Sequence, residues 1–342
     1  SSGWGRGSSL PTLMAMRSLQ FARVGPPEEV IELVGSEEPR PQPDEILVRI
    51  RLAPIHPSDL NLISGTYGDK PPLPCVPGGE AYGEVLEVGA EAGGLHKVGD
   101  KVAVIRRVGT WRDLVSVAPA ALQPLPANID PAQASLLGIN PATAWCLLAS
   151  FRELAAGDWL LQNLASSSVG RCVIQLARER GIRTCNVVRN PSLFADLLAL
   201  GADSVLEDNG DISPEAGGWE TSQAAPSLAL NGVGGESALR LMNALRTSGT
   251  LVTYGAMAKR PLKVPNGMLI FKNLTLKGFW MTRWLEKMPP TEVSAMYESL
   301  ANLMAEGRLV QPVAASVPVT DFGEALRLAG TGQSGKMLLR FD

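Results

Sequence analysis

The sequence predicts an α/β protein in which a doubly wound parallel sheet is joined to a β-rich domain. Three observations predict it. Residues 158–189 read as strand, tight loop, helix and strand. Strands and helices then alternate from 141 to about 281, which implies a parallel sheet with right-handed crossovers. From 16 to about 140, short apolar runs are instead broken by proline and glycine, the pattern of an irregular all-β domain. With 342 residues, the chain exceeds what one hydrophobic core organises. The expected division is 14–140, 141–285 and 286–342, the last part returning to the first domain.

Taken in order, residues 1–13 are rich in Ser and Gly, and no acid precedes Glu28 although Arg6, Arg17 and Arg23 do. They read equally as the tail of an organelle transit segment or as an expression remnant. The β-rich domain shows apolar runs at 45–52, 81–88, 101–105 and 114–117. Residues 159–162 form the first parallel strand, and the helix after it places Val169, Val173, Ile174, Leu176 and Ala177 on one buried face. Gly181 stops that helix, and 184–188 form the second strand. Three further strands, 227–230, 250–253 and 274–277, run into the turns Asn231-Gly232-Val233-Gly234-Gly235, Tyr254-Gly255-Ala256-Met257 and Gly278-Phe279-Trp280. Ligands of such sheets lie outside the carboxyl ends of the strands, so these turns and Arg189 should surround one cofactor. A helix at 293–306, a strand at 313–317, a short helix and a strand at 336–341 close the chain. A nucleotide-binding domain that interrupts a β-rich one leaves a cleft, the expected place of a small-molecule site.

The loop after the first parallel strand, Ala165-Ser166-Ser167-Ser168-Val169-Gly170, keeps only the last glycine of a G-x-G-x-x-G. Backbone must then approach pyrophosphate past serine Cβ atoms, although serine hydroxyls and a helix N-terminus both hydrogen-bond an anion. Arg189 stands about twenty residues beyond the loop, where an NAD-binding unit carries an acid for the ribose 2′-hydroxyl. A guanidinium there suits a 2′-phosphate, so the residues favour NADPH over NADH.

A net charge of −3 with no basic block gives no electrostatic reason to expect nucleic acid or a membrane surface as partner. No apolar run approaches the roughly twenty residues that cross a bilayer. Cys75, Cys146, Cys172 and Cys185 lack C-x-x-C pairing and lie in apolar surroundings, so they read as buried free thiols in a reducing compartment, with no metal site. His56 reads as a hydrogen-bonded structural residue, His96 as an ordinary exposed loop histidine and Trp111 as packing.

Together, A-P-I-H-P-S-D-L-N (53–61), G-E-A-Y-G-E-V-L-E-V-G (79–89), V-G-D-K-V (98–102) and S-G-K-M-L-L (334–339) resemble the medium-chain dehydrogenase/reductase superfamily. Within it, S-G-T-Y-G (64–68), G-T-W-R (109–112), L-G-I-N-P-A-T-A-W (137–145), N-V-V-R (186–189), V-T-Y-G-A-M (252–257) and L-I-F-K-N-L-T-L-K-G-F-W (269–280) resemble the mitochondrial trans-2-enoyl-CoA (enoyl-[acyl-carrier-protein]) reductases. The family keeps a glycine where this chain has Ser168, which bears on cofactor affinity. The zinc alcohol dehydrogenases of the superfamily need a cysteine and a G-H-E histidine, where this chain has His56-Pro57 and Gly79-Glu80.

The resemblance implies a GroES-like β-rich catalytic domain plus a Rossmann domain, and zinc-independent reduction of enoyl-CoA or enoyl-acyl carrier protein by NADPH. It assigns the proton donor to Tyr67, in a turn flanked by Gly65 and Gly68. A phenol, with an ordinary pKa of about 10, keeps its proton at neutral pH. The cofactor falls to Ser166, Ser167, Ser168, Val169, Arg189, Tyr254, Gly255, Ala256, Met257, Phe279, Trp280 and Met281, with Lys336 as a phosphate partner. Asn140 can donate to the nicotinamide or its ribose, or cap the helix that opens at Pro141. The resemblance further implies a homodimer through the sheet edge near 274–280 and a mitochondrial matrix location, the cytoplasm being the alternative. An NADPH quinone reductase of the zeta-crystallin kind, or a dinucleotide-binding protein without turnover, are the competing readings.

Overall fold

The structure, a computed structural model, describes residues 16–210, 212–221, 223–331 and 335–342; residues 1–13 lie outside them. The chain forms two compact units, one from the described residues of 1–124, 315–332 and 337–342, the other from those of 125–314 and 333–336.

In the first unit, β1 (Met16–Phe21) and β2 (Ile31–Ser36) form an antiparallel pair. The main sheet is organised around β3 (Ile46–Pro54), where Ile46, Val48 and Ile50 alternate inward and Arg49 faces out, the period-two pattern of a strand covered on one face. β3 pairs antiparallel with β4 (Ala81–Val88) and with β6 (Leu114–Val117), and β4 pairs with β5 (Lys101–Val104), which pairs with β7 (Leu122–Pro124). Trp111 is fully buried and donates its Nε1 hydrogen to the Pro54 carbonyl at 3.1 Å, as packing requires of an indole.

The second unit carries six parallel strands: β8 (Trp159–Asn163), β9 (Arg183–Val188), β10 (Ser204–Glu207), β11 (Leu228–Asn231), β12 (Thr250–Thr253) and β13 (Thr275–Gly278). Their spatial order is β10-β9-β8-β11-β12-β13. Counted along the chain this is 3-2-1-4-5-6, so connections leave β8 and β11 in opposite directions and open a crevice at their carboxyl ends. Every residue of β8 and β11 is buried, as expected of strands covered on both faces. The unit extends beyond the alternating stretch because the helix Pro290–Ala305 buries Met296, Tyr297 and Leu300 and its Tyr297 donates to the Gly138 carbonyl at 2.9 Å. Gln133 and Gln311 likewise exchange side-chain and backbone hydrogen bonds at 2.9 and 2.8 Å.

The last strands, β14 (Val313–Pro318) and β15 (Lys336–Arg340), join the seven-stranded sheet, β15 pairing with the end of β3. No helix among the described residues is long and apolar enough to cross a membrane.

One sequence expectation is overturned here. His96 is buried, at 5% exposure, and neither ring nitrogen has a hydrogen-bond partner among the described residues. Its loop closes through hydrogen bonds between Lys97 and Asp100, which leaves Leu95 and Val98 outside and His96 inside. Burial therefore lowers its pKa, with Asp100 opposing. The cysteines are free thiols, three buried and Cys75 half-buried. Burial pushes Cys146 up to about 11 and Cys185 to about 12, so neither is a reactive thiolate.

Candidate active site

The crevice is built from the ends of β8 and β11. After β8 the chain turns through 164–167, and Ser167 caps the helix Ser168–Glu179 by accepting the Gly170 N–H at 3.1 Å. Ser168 is the first residue of that helix, whose opening N–H groups lack intrahelical partners and make an anion seat. Gly170 explains why the last loop glycine remains: a Cβ there would stand 2.5 Å from the Ala165 carbonyl oxygen and 2.6 Å from its Cα, both backbone atoms. Ser166 contributes its carbonyl, which accepts from Arg171 Nε at 3.1 Å.

Asn163 and Ser237, not singled out from sequence, and Asn231, read there only as part of its turn, fasten the turns on either side. Asn163 donates to Asn231 Oδ1 and to Ser237 Oγ, both at 2.9 Å, and its own Oδ1 accepts the Gly232 N–H at 2.7 Å. Asn231 Oδ1 also accepts from Val233 and Gly234 N–H at 3.2 and 3.0 Å. The only sequence signal was a pair of amides at the ends of otherwise apolar strands.

Tyr254 reaches over the same place. Its phenol oxygen would lie 2.9 Å from a Cβ on Gly232, and it is enclosed without a hydrogen-bond partner among the described residues. Burial drives the phenol far above its ordinary value, and the Ser167 hydroxyl, near it but outside hydrogen-bond geometry, offsets only part of that. An enclosed, protonated, unpartnered donor beside a helix N-terminus suits an anion. Arg189, just past β9, is exposed, and no described residue pairs with its guanidinium. These features fit a dinucleotide carrying a 2′-phosphate.

The remaining cofactor candidates of this unit are spread along it. The turn with Gly255, Ala256 and Met257 is drawn to β11 by Met257 N–H donating to the Gly232 carbonyl at 3.0 Å, and Met257 is exposed. Phe279 is buried among aromatic rings, 5.9 Å from Phe151 and 5.7 Å from Trp284. Trp280 is half-buried with the Arg283 guanidinium 5.3 Å over its ring, and Met281 accepts from Thr143 Oγ1 at 3.3 Å. Asn140 is not a cap: Ile139 holds that position, and the Asn140 amide donates to Gln311 Oε1 at 2.8 Å. Lys336 opens β15, its N–H donating to the Pro312 carbonyl at 2.8 Å.

Tyr67 belongs to the first unit. The helix Pro57–Ile63 ends in a turn in which Thr66 and Tyr67 N–H both donate to the Asn61 carbonyl, and Gly65 adopts φ +72° to make it. The phenol ring packs half-buried against the core. Over it, 5.2 Å from the ring centroid, lies the Arg107 guanidinium. Asp59, fully buried, accepts from Arg107 Nη1 at 2.8 Å, and its other oxygen accepts the His56 N–H at 3.0 Å. Burial works to lower the Arg107 pKa, but attraction and hydrogen bonding to Asp59, joined by Tyr67, outweigh it and hold the value raised. His56 Nε2 and Glu80 Oε1 are 2.6 Å apart and buried, so the imidazole is hydrogen-bonded as the sequence suggested. This donor set does not fit a zinc ion: the imidazole nitrogen is taken by Glu80, and among the described residues no three His, Cys, Asp or Glu side chains are grouped as ligands.

A parallel sheet in the order 3-2-1-4-5-6 and, in the same chain, an antiparallel unit that carries a turn-borne phenol define a medium-chain dehydrogenase/reductase. Residues 42–125 match the model of the alcohol dehydrogenase GroES-like domain and 168–303 that of the zinc-binding dehydrogenases. The chain is 39% identical over 316 residues to the mitochondrial enoyl-[acyl-carrier-protein] reductase of Rattus norvegicus, covering 91% of this chain and 84% of that one. It is 34% identical over 341 residues to that of Arabidopsis thaliana, covering 97% and 91%. Among solved structures, a complex of Etr1p with NADP and crotonyl-CoA superposes with a TM-score of 0.85 at 26% identity, over 95% of this chain and 99% of that one. A proposed NADPH:quinone reductase from Bacillus thuringiensis superposes with a TM-score of 0.87 at 27% identity, over 96% and 99%. The chain belongs to the family of mitochondrial enoyl-[acyl-carrier-protein] reductases.

Proposed function

We propose that this protein reduces trans-2-enoyl thioesters, carried on coenzyme A or acyl carrier protein, to acyl thioesters with NADPH in fatty acid synthesis. The observation that carries the reading is Tyr67, a phenol held in a turn of the first unit beneath a fixed cation. Ser166, Ser167, Ser168 and Val169 at the helix N-terminus, with Tyr254 and Arg189, hold the pyrophosphate and 2′-phosphate. Gly255, Ala256, Met257, Phe279, Trp280, Met281, Asn140 and Lys336 complete the cofactor's surroundings. Bound there, NADPH supplies a hydride to the β-carbon of the substrate. The π electrons of the double bond then reside on the α-carbon and the thioester oxygen. Tyr67 hydrogen-bonds that enolate and gives its hydroxyl proton to the α-carbon, afterwards regaining a proton from solvent. Zinc takes no part, since His56 Nε2 is engaged by Glu80 and the resemblance puts no cysteine beside it. The protein acts as a homodimer in the mitochondrial matrix.

Mixing the protein with NADPH and crotonyl-CoA and following NADPH absorbance tests this directly. Oxidation of NADPH with the thioester is the expected result. The likeness to the Bacillus thuringiensis structure favours a second reading, a quinone reductase, and oxidation with a quinone but a flat trace with crotonyl-CoA would establish that instead. A flat trace with both acceptors would leave only nucleotide binding.

A further inference from the structure

We propose that Arg107 is the positioning residue of Tyr67, and that Asp59 fixes Arg107 in that role. The inference rests on the reading of Tyr67 as proton donor. Tyr67 sits on a turn, and nothing in a turn's backbone holds a phenol ring to the fraction of an ångström that proton transfer requires. The ring has an apolar partner on one side, where it packs on the core. Arg107 supplies the other side, its planar guanidinium 5.2 Å from the ring centroid.

A guanidinium on a flexible stem orders a ring only if it is itself held, and here two hydrogen bonds hold it. Asp59, with no exposed surface, takes Nη1 at 2.8 Å, and Ser58 Oγ takes Nη2 at 3.2 Å. Asp59 is in turn locked by its place in the first turn of the helix Pro57–Ile63 and by the His56 N–H on its second oxygen. Asp59, Arg107 and Tyr67 thus form one chain of contacts, and the Arg107 side chain remains about a quarter exposed, at 23%. A buried carboxylate tied to a partly exposed arginine is a costly way to fill space, since desolvating both charges offsets much of their attraction. The arrangement is accounted for when the arginine's second face has work to do. Its charge attracts the ring face and stabilises the negative charge that Tyr67 carries once its proton has left.

Arg107→Lys tests this, because it keeps a cation for Asp59 while removing the flat, forked head; Arg107→Met combined with Asp59→Asn removes both charges together, so that neither is left buried alone. With NADPH and crotonyl-CoA, kcat should fall about tenfold or more in each, with both KM values unchanged. In a Tyr67→Phe background the same substitutions should cost nothing further. Ring-labelled tyrosine NMR reads the contact itself: the chain has four tyrosines, and the signal missing in Tyr67→Phe should shift in both Arg107 variants. Losses that multiply in the Tyr67→Phe background would overturn the proposal. An unshifted ring signal with turnover impaired in Tyr67→Phe would place the error in the contact; a shifted signal with normal Tyr67→Phe turnover would place it in the donor assignment.

Discussion

Tyr254 and Arg189 show how differently two residues of one crevice can be read. The position of Arg189 just past β9 was legible because a strand of fixed rise carries it there, and its proposed use is to hold a 2′-phosphate. Replacing it by aspartate should raise the KM for NADPH roughly a hundredfold and that for NADH little, and equal effects in steady-state kinetics would remove the 2′-phosphate assignment. Tyr254 was reached only as a turn residue and through the family resemblance, since its enclosure over Gly232 and Ser167 depends on segments far apart in the chain. Leaving a buried hydroxyl without a partner costs about 1–3 kcal/mol, so Tyr254→Phe should hold or raise the melting temperature. The same change should weaken NADPH about tenfold by calorimetry, if the phenol donates to bound phosphate. His96 misled the sequence reading for the same reason as Tyr254: a loop's inward residue is set by its closure, here the hydrogen bonds of Lys97 and Asp100, and not by composition.

At the level of elements, the helix Ser168–Glu179 and its flanking strands were legible from periodicity, because burial on one face or both leaves a regular mark. The pair β1 and β2 was not picked out, since β2 is half-exposed along most of its length and mimics a loop. Polar fastenings were also opaque: Asn163 and Asn231 look like strand-end amides until the register brings them together. Gly170 is the point where sequence and packing agree most closely. Adding a methyl there forces the helix from the turn, because the obstacle is the backbone of Ala165 and not a movable side chain. Gly170→Ala should therefore lose about 1–3 kcal/mol in denaturant unfolding and weaken NADPH as well. A variant of wild-type stability would show that the helix start can shift freely.

Across the whole molecule, β13 ends the parallel sheet and, among the described residues, pairs on one side only. Just before it, Ile270 and Phe271 are 67% and 85% exposed, a combination of open edge and apolar surface that invites another chain. A homodimer through this edge predicts that Phe271→Asp yields monomers in light scattering at concentrations where the parent is dimeric; an unchanged mass would move the interface elsewhere. The parallel sheet was legible because alternation of strand and helix permits few topologies, whereas the strand order came from the structure. One further consequence follows from the amides that join Asn163, Asn231, Ser237 and Gly232. We propose that these bonds form both walls of a phosphate seat before any guest arrives, so that capture spends little free energy on ordering loops.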